Sequence, residues 1–245
     1  MFYANPPGGY KRGMRQPPLV LALILALAAP AVAADPLSAG RFESLAGAGG
    51  MLIAAPHGGY DRYSDDVARQ VALATGAGYV LASGFRTFEH PWNVNRPTEG
   101  AKLTADTEIH SPAARVVYEA YAGHVKRHAP RLYVEIHGNS RPESAGWIEV
   151  ATVNVPETAA RALQADFRRR VSALDASYPR FDLQIEPLDP IHYRAAGAKR
   201  FGILGHMPRV VHMELPAGIR FDERVRSRYA WTIAQVLDGF ASSLK

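Results

Sequence analysis

Residues 51–61 read Met-Leu-Ile-Ala-Ala-Pro-His-Gly-Gly-Tyr-Asp, in which a short apolar run passes into a proline, a histidine and two glycines. Five apolar residues closed by a proline are typical of a strand that is buried on both faces. His57 therefore stands at the carboxyl end of a predicted strand. The adjacent Gly58 and Gly59 let the backbone and a substrate come close to this histidine.

The rest of the chain repeats this alternation of short apolar runs and longer amphipathic segments. Further strands are predicted at residues 79–82, 132–136, 147–155, 182–186 and 210–215. Helices are predicted at residues 64–75, with Ser64 as its cap, and at 113–128, 156–173 and from 222 onward. Such alternation predicts an α/β fold, here a single three-layer domain around a central mixed, largely parallel sheet.

Histidines mark the carboxyl ends of two predicted strands, and α/β sheets bind ligands at such ends. They are His57 and His137. A catalytic zinc takes three His, Asp or Glu ligands and keeps one position for water. Asp61, four residues after His57, is placed to fold back to the same metal, so the predicted ligands are His57, Asp61 and His137. Asp65 and Asp66 are alternatives to Asp61, although acids at these positions also suit a helix N-terminus.

Glu214 lies near the end of a further predicted strand, inside the apolar run Val-Val-His-Met-Glu-Leu. A carboxylate buried there needs a partner. Beside a metal and its water, this carboxylate is suited to act as the general base. The alternative is a structural ion pair with Arg209 or Arg220. His212 shares a strand face with Glu214, and we expect it to be a core histidine.

Residues 84–110 form a long polar stretch without helix or strand periodicity, and such loops are often functional. The stretch contains Arg86 and the Asn95-Arg96 pair. Arginine suits the forked binding of a carboxylate, and near a metal it stabilises a developing oxyanion. Glu135 shares a strand face with His137, where it either orients that histidine or is an ordinary strand carboxylate.

These motifs, in this order, resemble the N-formylglutamate amidohydrolase family and its relatives, the zinc carboxypeptidases and the poly-γ-glutamate hydrolases of phage. The resemblance rests on Pro-His-Gly-Gly at 56–59, Arg86, Asn95-Arg96, Glu-Ile-His-Gly at 135–138 and Met-Glu-Leu at 213–215. It covers residues 50 to 220 and implies a phosphorylase/hydrolase-like α/β fold. Position 60 is Tyr where the carboxypeptidases have Glu, and the formylglutamate enzymes usually show Asp-x-His-Ser at 135–138. The resemblance therefore supports the mechanism better than it supports a particular substrate.

The resemblance also implies a role for each of seven residues. One Zn²⁺ would be bound by His57, Asp61 and His137, and Glu214 would be the general base. Arg86 would stabilise the oxyanion, and Asn95 and Arg96 would bind a substrate carboxylate. The implied function is zinc-dependent cleavage of an amide bond in a small molecule or short peptide that carries a carboxylate. The enzyme alternatives are a carboxypeptidase and a γ-glutamyl or wall-peptide amidase. The alternative outside enzymes is a periplasmic metal- or ligand-binding domain without turnover.

The first 34 residues have the composition of a secretory signal peptide. Lys11, Arg12 and Arg15 precede an apolar run from residue 19 to residue 29, and alanines close the segment. The run is too short to span a bilayer comfortably, and an uncleaved anchor is the alternative. We therefore expect a periplasmic or secreted protein with a linker over 35–45, a hydrolase domain over 46–245, and no stable membrane association after cleavage.

The formal net charge of +5 is due partly to this leader, because 25 basic side chains face 23 acidic ones once its three basic residues are removed. No cluster of Lys and Arg with interleaved aromatic residues occurs, so nucleic-acid binding is not expected. The chain contains no cysteine. An exported protein of this sequence therefore depends on its apolar core and not on disulfides.

Overall fold

The computed structural model describes residues 35–100 and 105–244 of the 245-residue chain. The predicted signal peptide, residues 1–34, and its cleavage site lie outside the described residues. Within the described ranges, no helix has both the length and the apolar character that crossing a membrane requires.

A seven-stranded mixed sheet forms the centre of the described chain. The strands in residues 35–100 and 105–244 are β1 (Arg41–Leu45), β2 (Met51–Gly58), β3 (Gly78–Ser83), β4 (Thr98–Glu99), β5 (Ile109–His110), β6 (Leu132–Gly138), β7 (Trp147–Val153), β8 (Asp182–Ile185) and β9 (Val210–Leu215). The sheet order is β1-β3-β2-β6-β9-β7-β8, and β4 pairs with β5 separately. The four strands β3, β2, β6 and β9 are parallel, whereas β1 and β7 run antiparallel to β3 and β9. The predicted mixed, largely parallel sheet is confirmed.

The described residues form six α-helices, of which the last two follow the final strand: α1 (Ser64–Thr75), α2 (Pro112–Arg127), α3 (Glu157–Ser172), α4 (Ala196–Phe201), α5 (Ala217–Arg220) and α6 (Glu223–Ser243). Local signals set their ends. The Ser111 side chain accepts the Ala114 N–H at 3.1 Å before α2, and Asp222 accepts the Val225 N–H at 2.9 Å before α6, which are N-caps. Gly76, at φ +65°, ends α1.

Helices cover both faces of the sheet and give the three predicted layers. In β2, Met51, Ile53 and Ala55 pack into one core with α1, α3 and α6, whereas Leu52 and Ala54 pack into a second core with α2. This division follows from the alternation of side chains along a strand. Every residue of the run is buried, which is why it reads as continuously apolar.

A β-bulge breaks this alternation near the end of β2. Between Ala55 and Gly58 the register shifts, so that three steps along β2 match two steps along β3. Pro56 is tolerated there because it has no partner in the β2–β3 ladder, so its missing N–H costs no hydrogen bond between these strands. The extra residue turns His57 from the α1 face to the α2 face, where its ring lies 4.7 Å from that of His137. The bulge thus brings the first histidine to the second.

Residues 35–45 are not the linker expected from the sequence. Residues 36–39 form a 3-10 helix capped by the Asp35 side chain, and β1 pairs antiparallel with β3 along its whole length. Phe42 stacks on Phe85 with ring centroids 4.5 Å apart. The short edge strand β1 has mixed polarity and therefore no clear strand pattern in the sequence. Its hydrogen bonds go to β3, which follows β2 and α1 in the chain, so local sequence does not reveal the pairing.

Ser64 does not cap α1 as expected. The N-cap residue is Tyr63, at φ +67°, and no side chain caps the helix. A turn precedes it instead, in which the Asp61 N–H donates to the His57 carbonyl and the Ser64 N–H donates to the Asp61 carbonyl, both at 2.9 Å. This turn carries the Asp61 carboxylate back towards His57.

Candidate metal centre

Three side-chain atoms converge at the carboxyl ends of β2 and β6. His57 Nδ1 lies 3.2 Å from Asp61 Oδ2 and 3.1 Å from His137 Nδ1, and His137 Nδ1 lies 3.0 Å from the same carboxylate oxygen. All three residues are buried. Asp66 instead pairs with Arg226 at 2.6 Å. The structure therefore places Asp61 between the two histidines and brings together the three residues predicted as ligands.

The other ring nitrogen of each histidine also has a partner. His57 Nε2 lies 2.9 Å from the Asn93 carbonyl oxygen, and His137 Nε2 lies 3.0 Å from Glu135 Oε2. A carbonyl oxygen only accepts, so neutral His57 carries its proton on Nε2 and a lone pair on Nδ1. The Glu135 carboxylate favours the same tautomer of neutral His137. Metal-binding histidines are typically oriented in this way.

The separations of the three atoms fit a tetrahedral zinc ion. With zinc–ligand bonds of about 2.0–2.1 Å, two ligand atoms of such an ion lie about 3.3 Å apart. The separations here are 3.0, 3.1 and 3.2 Å. Two imidazole nitrogens and one carboxylate oxygen also match the donors of catalytic zinc, which keeps a fourth position for water. His57, Asp61 and His137 would hold one Zn²⁺.

Burial and neighbouring charges set the proton affinities of these groups. Burial, with the charge of Arg86, lowers the pKa of His57 to about 4. Burial also opposes a charged His137, but its hydrogen bonds to Asp61 and Glu135 outweigh this effect and raise its pKa to about 10. The two histidines likewise outweigh burial at Asp61 and lower its pKa. A proton on His137 therefore balances the buried carboxylates, and a metal ion would replace it because ligating imidazoles are unprotonated on the binding nitrogen.

A line of buried polar side chains connects this triangle to Glu214. His212 Nδ1 lies 3.0 Å from Glu135 Oε2, and its Nε2 lies 3.4 Å from Glu214 Oε1. The β6–β9 register pairs Glu135 with His212 and His137 with Glu214, so all four side chains share the α2 face of the sheet. Glu135 therefore orients His137, one of the two roles left open by the sequence. His212, expected in the core, bridges two acids.

Neither arginine considered as a structural partner of Glu214 forms an ion pair with it in the described part of the chain. The Arg220 guanidinium donates to the carbonyls of Leu215, at 3.1 Å, and Asn139, at 2.8 Å. Arg209 donates to a carbonyl near the end of α6. Glu214 is 8% exposed and lines a cleft, where a general base must be to reach a substrate.

This cleft has a volume of about 1040 Å³ and contains the triangle, Glu214 and Arg86 together. Its size is at the upper end for small-molecule sites, which span about 300–1,000 Å³. Tyr60, Phe88 and Phe221 supply aromatic surface to its lining. A metal-binding triangle beside a carboxylate and an arginine is an arrangement that can activate water and polarise a carbonyl.

Several solved structures match most of the chain, and two of them illustrate the likeness. One is a bacteriophage poly-γ-glutamate hydrolase, with a TM-score of 0.54 and 13% identity over 84% of this chain and 91% of that chain. The other is a gene product of Agrobacterium tumefaciens, with a TM-score of 0.56 and 13% identity over 83% and 94% of the two chains. The chain shares their fold. No protein-family model matches the sequence, and no curated protein matches it significantly.

Arg86 lies in the same cleft as the triangle. It is 7% exposed, its guanidinium lies 4.8 Å from the centroid of the Tyr60 ring, and it donates to the Asn93 side chain. Its charge is near enough to contribute to the lowered pKa of His57. These contacts hold a cation beside the triangle, where it is suited to stabilise an oxyanion.

Asn95 and Arg96 do not form the open carboxylate site that the resemblance implies. Asn95 Nδ2 donates to Glu135 Oε2 at 2.9 Å, and its Oδ1 accepts from Arg96 at 3.0 Å. Arg96 Nε and Nη2 lie 2.8 and 2.6 Å from the Glu108 carboxylate oxygens, and Thr98 also donates to Glu108. The pair therefore holds two of the protein's own carboxylates, which was not predictable because Glu108 lies in a stretch without periodicity.

Replacing Arg96 with Ala is expected to destabilise the protein by about 3 kcal/mol, since it leaves a buried Glu108 charge without its partner. The two side chains are only 14% and 2% exposed. Denaturant unfolding measures the difference, with Arg168→Ala as control. Arg168 pairs with Asp182 at 48% and 47% exposure, and its loss should cost below about 1 kcal/mol. Unchanged stability with a raised KM for acidic substrates would favour the substrate role.

Two residues that support the site, Asn93 and Asn139, were not predicted from the sequence, and Arg220 was considered only as an ion-pair partner of Glu214. The Asn93 carbonyl fixes the ring of His57. Asn139 donates to the Glu214 carbonyl at 3.3 Å and accepts from Arg220 on its own carbonyl, which ties the end of β6 to the end of β9. The one available signal was the position of Asn139, two residues after a histidine at a predicted strand end.

Proposed function

We propose that this chain is an exported zinc-dependent amidohydrolase that cleaves an amide bond in a small substrate with a carboxylate. The observation that carries the proposal is the convergence of His57 Nδ1, His137 Nδ1 and Asp61 Oδ2 in a cleft that also contains Glu214. These are the ligand types of a hydrolytic zinc with an open position. The fold shared with a poly-γ-glutamate hydrolase supports the same class of reaction.

In the proposed mechanism, a zinc ion held by His57, Asp61 and His137 would supply Lewis-acid chemistry, namely a more acidic water and a polarised scissile carbonyl. Glu214 takes the proton of the attacking water and returns it to the leaving nitrogen. His212 positions the Glu214 carboxylate through its 3.4 Å contact. Arg86, held by Asn93 and by the Tyr60 ring, stabilises the negative charge that develops on the carbonyl oxygen.

The favoured alternative substrate is a γ-linked glutamate or wall-derived peptide. A cleft of about 1040 Å³ admits more than a single N-acyl amino acid, and the phage hydrolase shares the fold. A carboxypeptidase is distinguished from both by its need for a free peptide C-terminus. A metal- or ligand-binding domain without turnover leaves Glu214 without a role.

The experiment that tests the proposal combines metal analysis with a substrate panel. The purified protein is expected to contain about one zinc ion per chain and to hydrolyse members of a panel of N-acyl amino acids, γ-glutamyl peptides and ordinary peptides. Activity should follow zinc content when the metal is removed by a chelator and restored. Bound zinc without turnover on any of these would favour the binding-domain alternative. Amide hydrolysis that persists without any metal would overturn the proposed mechanism.

Export is the part of the proposal that rests on residues 1–34. Their basic start, apolar run and closing alanines are typical of a cleaved signal peptide. Sequencing the amino terminus of the mature protein in the periplasm or medium tests it. A mature chain that begins near residue 34 is expected, whereas an intact leader would indicate an anchor.

A further inference from the structure

The cleft is lined by more arginines than acids. Six arginines line it, against the three acids Asp61, Glu108 and Glu214: they are Arg62, Arg86, Arg96, Arg141, Arg194 and Arg220. Arg96 is paired with Glu108, and Arg86 and Arg220 are held by amide and carbonyl oxygens. Across the described ranges, Arg141 and Arg194 form no ion pair. Arg141 lies 5.3 Å from the centroid of the Tyr193 ring, and Arg194 contacts a backbone carbonyl.

Arg141 is anchored to the strand that carries Glu214. Its N–H donates to Asn139 Oδ1 at 3.3 Å. Asn139 in turn donates from its backbone to the Leu215 carbonyl at 2.9 Å and from its side chain to the Glu214 carbonyl at 3.3 Å. This wall of the cleft is therefore fixed in relation to the predicted general base.

Arg194 belongs to a segment that is anchored by Glu149. This glutamate is fully buried, and its Oε2 accepts the N–H groups of His192 at 3.0 Å and Tyr193 at 2.8 Å. Glu149 pairs with Glu214 in the β7–β9 register. A buried carboxylate is costly unless it is hydrogen-bonded, and here its bonds hold the segment from His192 to Arg194 against the cleft.

We propose that Arg141 and Arg194 form an anion subsite that binds a carboxylate on the amine side of the scissile amide. This inference rests on the proposed function. The strand order β2-β6-β9-β7 places the metal triangle on one side of Glu214 and Glu149 on the other. Because Glu214 protonates the leaving nitrogen, groups attached to that nitrogen extend past Glu214 towards the two arginines.

The chemistry of this subsite selects a class of substrate. Arginine binds carboxylates through forked, charge-assisted N–H bonds, and the face of the Tyr193 ring supports the Arg141 cation. The leaving amine is therefore an acidic amino acid, as in an N-acyl glutamate or a γ-linked glutamate chain. In this proposal Arg141 and Arg194 bind the substrate carboxylate, which the resemblance assigns to Asn95 and Arg96.

The test compares a dianionic substrate with its neutral counterpart on the zinc-loaded full chain. Release of formate is measured from N-formyl-L-glutamate and from its uncharged diamide. In the Arg141→Ala/Arg194→Ala variant, kcat/KM for the dianion is expected to fall at least about 30-fold, mainly through KM, because two charged hydrogen-bonding groups are lost. The diamide should change less than about threefold, within the scatter of a neutral contact.

The matched control is Arg62→Ala, which removes another arginine of the same cleft, one that lies over the Phe221 ring. It should leave the preference for the dianion intact. Equal losses for the dianion and the diamide in the double variant would overturn the subsite, and so would no loss for either.

A separate titration distinguishes failure of the subsite from failure of the proposed function. If the zinc-loaded wild type releases formate from neither compound, calorimetry with glutarate is used. Glutarate binding that is present in the wild type and lost in the double variant supports the subsite without any turnover. Equal binding, or absence of binding to the wild type, overturns it.

Discussion

Replacing Glu214 with Gln is expected to lower kcat by about 1,000-fold, which is within the range that general acid–base catalysis contributes. Gln keeps the size of the side chain, and its amide group can face His212 Nε2, now 3.4 Å from Glu214 Oε1, through either its oxygen or its N–H. It cannot take a proton from water. Zinc content and KM are therefore expected to change little. The measurements are steady-state kinetics on the best substrate of the panel and metal analysis of the same sample.

The matched control for this variant is Glu143→Gln, because Glu143 is an exposed acid on a neighbouring 3-10 helix. It should keep full activity. Equilibrium unfolding of the Glu214→Gln protein should agree with the wild type within about 1 kcal/mol, since Gln keeps the size of the side chain and a polar group beside His212. If Glu214→Gln retains wild-type turnover, Glu214 is not the base and the proton must be taken by another group.

The sequence was most informative where a strand ends in a polar residue. The apolar runs at 51–55, 132–136 and 210–215 carry their own pattern, because strands buried on both faces are continuously apolar. Their positions predicted that His57, His137 and Glu214 meet. The structure places all three in one cleft.

The register between strands was beyond the sequence, since it is set by contacts far apart in the chain. The alternation of side chains along a strand showed that Glu135 and His137 share a face of the sheet, as do His212 and Glu214. It did not show that β6 lies beside β9, which is what joins these four residues into one network. The β2 bulge was equally hidden, and without it His57 would point to the opposite face of the sheet.

The loop from 84 to 110 shows a different limit of sequence reasoning. Arg96 was predicted to hold a substrate carboxylate, whereas in the structure it pairs with Glu108 of the same loop. Residue type defines what a side chain binds and not which partner reaches it. Arg141 and Arg194 of the cleft wall could not be predicted as functional, because nothing in their local sequence differs from that of surface arginines.

Replacing His57 or His137 with Ala is expected to reduce zinc from about one ion per chain to below about 0.1, since two protein ligands rarely hold a catalytic zinc. The affinity for zinc should fall by more than the roughly 10–100-fold that results from removing a residue hydrogen-bonded to a metal ligand. Glu135→Gln changes the partner of His137 Nε2, His212 Nδ1 and Asn95 Nδ2 but none of the three proposed ligands, so its loss of zinc affinity should lie in that smaller range. His192→Ala removes a histidine that lines the cleft but is not a proposed ligand, so this variant should keep its zinc.

The two histidine variants should also differ in stability, which separates loss of a ligand from loss of the fold. Burial keeps the pKa of His57 at about 4, so its removal at neutral pH takes away no charge. His137, with a pKa of about 10, is the cation between Asp61 and Glu135. Its removal leaves buried carboxylates unpaired and should cost about 3–5 kcal/mol.

His57→Ala should therefore stay folded, and zinc at 100 times its Kd should stabilise the wild type by about 2.7 kcal/mol but not this variant. Equal zinc content and an equal zinc-dependent shift in all three proteins would show that the metal binds elsewhere.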